Sequence, residues 1–327
     1  MKRFALLCVF ALFASQVTIW GQSGTGTLKI VVAQNPYTGD RASPEISGGP
    51  AALVTRAVEK VSSMPGTTVE LLPAVALDET EQKQYGQWNR FGLANGHLGK
   101  ALARQVKPGT LPVGLLANCS SLSGMLAGLQ DAGSVQKPLR VGLVFIDAHG
   151  DFNTPETTLS GMLGGMPVAV AAGHCLRRMR LQSGLDPAIP EENIVLACAR
   201  DLDPLERERL EQSKIEQLTV NDIRSRSNKL RSEMERLSRL SDLIYVHIDM
   251  DVLDPREVSG HPLTVPGGPT SKELAAALRV MFTFKKTAAL GIASYPYQKD
   301  EDRLSAAAVT NLIAGAAQGV QDREPYN

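Results

Sequence analysis

Two short segments place ligand-type side chains at the ends of apolar runs. In LVFIDAHGDFNTP (143–155), Asp147, His149 and Asp151 follow a hydrophobic stretch at alternate positions. In YVHIDMDVLDP (245–255), Asp249 and Asp251 do the same, and Asp254-Pro255 closes the motif. Alternate side chains of an extended chain point to one face, so each segment would aim its polar groups together from the end of a strand. A carboxylate is costly to bury unless it is paired or holds a metal. One such Asp reads as a turn or cap residue; four, with a histidine, in two matched strand-end clusters read as a metal centre. Mainly oxygen donors with one imidazole suit Mn(II) or a related divalent ion better than a thiolate-type zinc site. Shared carboxylates would hold two ions about 3.5–4 Å apart, the spacing at which a bridging water becomes a nucleophile near neutral pH.

The elements that must position these groups follow from periodicity. Short apolar, β-branched runs at residues 28–33, 68–72, 112–117, 140–146, 193–199, 215–220, 243–248 and 288–294 alternate with helical patterns near 50–62, 81–105, 121–130, 164–173, 203–213, 221–240, 271–283 and 304–319. Such alternation is the signature of a parallel sheet covered by helices. Thr270 followed by Glu273 is a helix-start signal, and Asn221 precedes an amphipathic stretch. Residues 33–50, rich in Gly, Pro, Ser and Asn, read as a loop, and in open α/β sheets loops at the carboxyl ends of strands carry the site. The charged stretch 221–239 reads as a solvated helix face.

Composition bounds the function. The 327 residues carry 34 Lys and Arg against 34 Asp and Glu, without a basic run, which speaks against a nucleic-acid partner. Hydrophobic residues at 43% and charged residues at 21% are those of a globular chain with a sizeable core, and aromatics at 5% suit an α/β fold better than an aromatic-rich β-sandwich. Met1-Lys2-Arg3 is a basic start, and residues 4–21 carry no charge before the small and polar residues Gly21 to Gly24. That layout predicts a secretory signal over residues 1–23, with a membrane anchor as the competing reading, and a mature domain over 24–327 in the periplasm or outside the cell. No other stretch is long and apolar enough to span a bilayer. Beyond the apolar start, Cys119, Cys175 and Cys198 are too few and odd in number for a disulfide framework. Cys198 reads as core, and Cys119 as a strand-to-helix junction residue whose thiol could face a site.

DAHGDFNTP and HIDMDVLDP resemble the two metal motifs of the ureohydrolases, the family of arginase and agmatinase, and the resemblance runs in order and spacing from about Leu111 to the C-terminus. It implies a single α/β domain, three layers with a central, mainly parallel eight-stranded sheet. It implies that Asp147 and Asp249 bridge two Mn ions, that Asp151 serves the first, and that His149 and Asp251 serve the second. FNTPETTLSG (152–161) is similar to the arginase stretch that binds the substrate α-carboxylate, which assigns Asn153 and Ser160. ARDLDP (199–204) is similar to the segment that holds the α-amino group, which assigns Asp203, and GGPTSKE (267–273) to the loop whose Glu contacts the guanidinium, which assigns Glu273. Read as plain residues, Asn153 and Ser160 are loop hydrogen bonders, Asp203 an N-cap and Glu273 a capping-box partner of Thr270.

Two departures qualify the resemblance. Where the family has Gly-Gly-Asp-His with a metal-binding His, this chain reads LANCSS, so Cys119 stands in the His position, either as a thiolate ligand or as a neutral thiol that leaves the first ion weak or absent. Where arginase has a proton-shuttling His, Gly164 stands in LGGMP. His261, in SGHPL, either supplies that proton transfer or is a surface-loop residue. His247, alternating with Asp249 and Asp251, reads either as support behind the metal ligands or, preferably, as a buried, hydrogen-bonded core histidine, His174 as a partner of helix-terminal carbonyls and His97 as a helix-surface residue. The expectation is a metal-dependent hydrolase of linear C–N bonds in a guanidino compound, with two Mn ions or one, and urea as a product. Rival readings are a relative acting on another guanidino, formimino or ureido compound, and a metal-binding member of the fold without turnover. Assembly into a homo-oligomer is left open.

Overall fold

The computed structural model describes residues 27–38, 48–133, 138–258, 260–301 and 303–323. The expected signal over residues 1–23 lies outside them, as do residues 39–47 of the expected loop. Eight strands form one sheet: β1 (Leu28–Asn35), β2 (Thr67–Leu71), β3 (Thr110–Leu116), β4 (Val141–Ile146), β5 (Ile194–Ala197), β6 (Glu216–Leu218), β7 (Leu243–Asp249) and β8 (Thr287–Ala293). Their order is β2-β1-β3-β8-β7-β4-β5-β6, and every pairing is parallel. Each lies at an apolar run expected from the sequence, because central parallel strands are buried on both faces and need no polar alternation.

Helices cover both faces. On one side lie α1 (Gly49–Leu53), which continues through a π-helical turn (Val54–Val58) into Glu59–Val61. The other face is covered by α2 (Glu79–Gln82), α3 (Gln87–Ala103), α4 (Leu122–Gln130), α5 (Pro167–Ala171), α6 (Arg177–Gln182) and α7 (Pro204–Gln212). The chain then returns to the first face with α8 (Val220–Ser225), α9 (Asn228–Leu240), α10 (Ser271–Thr283) and α11 (Leu304–Gln321). The two cores divide the strands by parity: Val144, Ile146, Ile244, Val246 and Ile248 pack with α9–α11, whereas Leu143, Phe145, Leu243 and Tyr245 pack with α3–α5. This is a three-layer α/β/α domain.

Helix boundaries differ from expectation where the chain turns locally. The single helix expected over 81–105 is two, parted at Gly86, whose φ of +95° suits glycine. The one expected over 221–240 is also two. Thr219, with Asp222 in a capping box, starts the first, so Asn221 is not the cap; Arg226 at φ +52° ends it, and Ser227 caps the second. The short α6 was not expected at all. Among the described residues no helix is long and apolar enough to cross a membrane.

Helices α3 and α4 approach closely at glycine: a Cβ at Gly128 on α4 would lie 2.7 Å from the carbonyl oxygen of Gly99 on α3. Gly128→Val should therefore force the helices apart and cost about 1–3 kcal/mol, the usual toll of overpacking, read as a lower midpoint in urea unfolding.

Candidate functional site

The sheet sends the carboxyl ends of β3, β8, β7, β4 and β5, five consecutive strands, to one edge, where a pocket of about 400 Å³ opens. Asp147 and Asp249 sit at the ends of β4 and β7, which are neighbours, so the two motifs meet. The side chains do not converge through extended alternation, as expected; turns bring them together. The His149 amide donates to Asp147 Oδ1 at 2.8 Å, the Asp251 amide to Asp249 Oδ1 at 2.9 Å, and the Ala148 amide crosses to Asp251 Oδ1 at 3.3 Å. Asp251 lies in a 3₁₀ turn (Met250–Val252) and Asp151 adopts φ +49°.

Ligand atoms of Asp147, His149 and Asp251 lie within 4.8 Å of one another, as do those of Cys119, Asp147 and Asp249, and those of Asp249, Asp251 and His261. Asp151 lines the same pocket but joins none of these three compact groups. All four carboxylates are buried. Burial, then mutual repulsion, raises Asp147, Asp249 and Asp151 above the usual carboxylate range, Asp151 well above it, and lifts Asp251 to about 6. Burial works against a charged His149, yet the carboxylates of Asp147 at 3.3 Å and Asp251 at 3.1 Å raise its imidazole to about 11. One imidazolium among four carboxylates leaves a deficit of positive charge. Divalent ions fit that deficit and this donor set.

Cys119 opens a 3₁₀ turn (Cys119–Ser121) that leads into α4. Its thiol donates to Asp249 Oδ2 at 2.7 Å, and Ser294 Oγ donates to the same oxygen at 2.7 Å. Burial, with Asp249 and Asp147 adding to it, pushes the thiol well above its ordinary range. His261 is buried and faces the pocket, with Nε2 3.9 Å from Asp249 Oδ1, so it is not a surface-loop histidine. Its Nδ1 accepts the Leu263 amide at 3.2 Å, which leaves the ring proton of a neutral imidazole on Nε2, toward the carboxylates. The loop that carries it is braced by Arg200, which donates to the carbonyls of Cys198, Val252, Val265 and Pro266.

Asn153, Ser160 and Asp203 all line the pocket. Asn153 Nδ2 donates to Asp203 Oδ2 at 3.1 Å and its Oδ1 accepts from Thr157, while Ser160 Oγ accepts the Met162 amide. Asp203 is also the N-cap of α7. Glu273 is not brought to the pocket: it closes the α10 capping box by accepting the Thr270 amide at 2.8 Å, and it pairs with Arg224 at 3.4 Å on the surface. The cap draws its carboxylate back along the helix and away from the cluster. His174 pairs with Glu191 at 2.8 Å and not with helix carbonyls, and His97 pairs with Glu81. Gly164 lines the pocket, and a Cβ there would meet only Asn118 Nδ2, at 3.3 Å.

Several pocket residues escaped the sequence reading, Glu206, Ser294 and Asn118 among them. Glu206 is buried, its Oε1 accepting the Phe152 amide at 2.8 Å while its Oε2 accepts the Asp203 amide. The spacing Asp203 to Glu206 signals a capping box, but nothing in it signals a pocket wall. Ser294 and Asn118 carry no local signal.

Residues 33–317 match the model of the Arginase family. The chain is 29% identical over 259 residues to an arginase of Bacillus subtilis (strain 168), covering 77% of this chain and 85% of that one. Among solved structures, an arginase of the same bacterium is similar with a TM-score of 0.75 at 25% identity, covering 91% of this chain and all of that one. The formimidoylglutamase of Bacillus subtilis is similar at a TM-score of 0.70 and 15% identity, covering 93% of this chain and 90% of that one, a likeness of fold alone.

The electrostatics set the sign of two stability effects. Carboxylates raised by burial and repulsion destabilise the metal-free protein above their unfolded pKa, and the effect fades as pH falls through about 6 for Asp251. The stabilisation from the raised His149 is complete below its unfolded pKa and is lost as pH rises toward 11. Both trends agree, so the chelator-treated protein should melt higher at pH 6 than at pH 8. Asp147→Asn and Asp249→Asn should each raise the metal-free melting temperature while removing the increase that divalent ions give the wild type. Unchanged metal content in both variants, by elemental analysis, would contradict their assignment as ligands.

Proposed function

Because this chain belongs to the arginase family, we propose that it is a metal-dependent hydrolase of a guanidino compound, arginine or a close analogue, with urea as one product. The observation that supports this most is the meeting, in one pocket, of Asp147, His149, Asp249 and Asp251 with Asn153, Ser160 and Asp203. The first four would hold the ions, with Asp147 and Asp249 placed to serve both, Asp151 beside the first and His149 and Asp251 on the second. Their oxygen-rich donor set favours Mn(II). Divalent ions held there supply the acidity that makes water a nucleophile at neutral pH and the positive charge that offsets the charge developing on the substrate.

The chain's own groups do the rest. Asn153 is locked by Asp203 and Thr157, so its amide is oriented before substrate arrives. Ser160 at the rim and Asp203 on the wall would take an α-carboxylate and an α-amino group, which holds the guanidinium carbon toward the carboxylate cluster. Water adds to that carbon, the C–N bond to the amine breaks, and the amine leaves with a proton. His261 Nε2–H, aimed into the pocket, is placed to give that proton. It takes the part for which Gly164 offers no side chain.

The test is a urea and ammonia screen over arginine, agmatine and other guanidino, formimino and ureido compounds with Mn(II)-loaded protein. Urea from arginine is the expected result; metal binding without turnover of any of them would overturn the hydrolase reading in favour of a binding protein. His261→Gln should lower kcat about 10²- to 10⁴-fold, the usual share of a general acid, with metal content retained. Asp203→Ala should mainly raise KM for arginine and leave that for agmatine unmoved. The basic start and charge-free residues 4–21 support export; N-terminal sequencing of protein from its host should return a start just after Gly21, and a start at Met1 would count against it.

A further inference from the structure

One buried chain of polar groups has no task in the reading above. Tyr245 and His247, two residues apart on β7, point to the same face as Asp249. Tyr245 Oη lies 2.9 Å from His247 Nδ1, and His247 Nε2 lies 3.2 Å from Cys119 Sγ. The imidazole is fixed on both flanks. It stacks on Phe145, its register partner on β4, with ring centroids 4.9 Å apart and planes 3° from parallel. Its partner on β8 is Gly291, where a Cβ would coincide with the Tyr245 hydroxyl. The sheet has thus given up a side chain at one central position to admit this pair.

The chain of contacts has a direction. With the tyrosine hydroxyl donating to Nδ1, the single proton of a neutral imidazole sits on Nε2 and points at sulfur. A thiol that merely filled space at the start of α4 would need neither that donor nor the missing side chain on β8. Cys119 Sγ, Asp147 and Asp249 also keep their ligand atoms within 4.8 Å of one another. Metal-bound ligands characteristically receive such outer hydrogen bonds, which fix their orientation and hold their charge.

We propose that Cys119 binds, as a thiolate and together with Asp147 and Asp249, a thiophilic divalent ion of the zinc, cobalt(II) or iron(II) class, and that His247 and Tyr245 are positioning residues for its sulfur. The proposal rests on the metal-dependent reading above and divides the centre into two unlike positions: a softer one beside Cys119 and a harder one beside His149 and Asp251. As the ion binds, the S–H bond breaks, its proton leaves to solvent, and a sulfur–metal bond forms with no electron transferred.

Cobalt(II) titration of the metal-free full chain separates the outcomes, since thiolate ligation adds a sulfur-to-cobalt charge-transfer band in the near ultraviolet to the visible d–d bands. Wild type should show both, and Cys119→Ser should keep the visible bands and lose the near-ultraviolet one. His247→Leu should weaken the sulfur-reported position about 10- to 100-fold, the usual effect of removing an outer-shell partner. His247→Gln, which keeps an N–H, should recover part of that loss. If His247→Leu does not fold, Tyr245→Phe decides the matter, with weaker binding expected at the sulfur-reported position alone. Visible bands without charge transfer in wild type would overturn the proposal and leave the metal-dependent function standing. Absence of every cobalt band would overturn the metal centre itself, and the proposal with it.

Discussion

Four carboxylates buried within reach of one another is the constraint around which the rest is arranged. Each would prefer water, and among the described residues no lysine or arginine pairs with one of them. The amides of Ala148, His149 and Asp251 donate to Asp251, Asp147 and Asp249 respectively, with the Cys119 thiol and the Ser294 hydroxyl adding to Asp249, so the turns after β4 and β7 are shaped by the charges they carry. A parallel sheet makes such crowding possible, since it delivers the ends of all its strands to one edge and surrounds them with apolar layers that cannot yield. The charge that remains unsatisfied is the driving force for whatever cation the site admits.

The pocket wall is built in the same way, from contacts that also start a helix. Asp203 and Glu206 begin α7 by capping each other, and the same two side chains accept from Asn153 and from the Phe152 amide, tying the segment after β4 to the segment after β5. Gly150 makes this possible, because a Cβ there would lie 2.7 Å from Glu206 Oε1. A helix start and a pocket wall are therefore one hydrogen-bonded unit, and disturbing either disturbs both.

The sheet was legible because its signals are local. Buried parallel strands such as β4 and β7 announce themselves as unbroken apolar runs, and Asp147 and Asp249 stand out as charges that such runs should not tolerate. The breaks within helices were less legible: Arg226 adopts φ +52° with nothing in its side chain to say so. Glu273 shows two local readings in competition. Its capping signal and its family position coexist in the sequence, and the hydrogen bond to the Thr270 amide settles where the carboxylate lies. His247 was read as a buried, hydrogen-bonded core residue, and it is one; that its partner is Cys119, 128 residues earlier, is a fact of strand order that no periodicity carries. Asp151 reached the pocket by a left-handed turn where alternation along an extended chain was expected.

Arg200 carries a consequence for timing. By gathering the carbonyls of Cys198, Val252, Val265 and Pro266 onto one guanidinium, it braces the loop that holds His261. Where an enzyme's acid rides on a lid, each cycle must wait for closure on the microsecond-to-millisecond scale before chemistry can begin. On the His261 side of this pocket, Arg200 instead joins the segment after β5 to the segment after β7 through four carbonyls, so a site using His261 as proposed above would have that wall braced before a molecule enters.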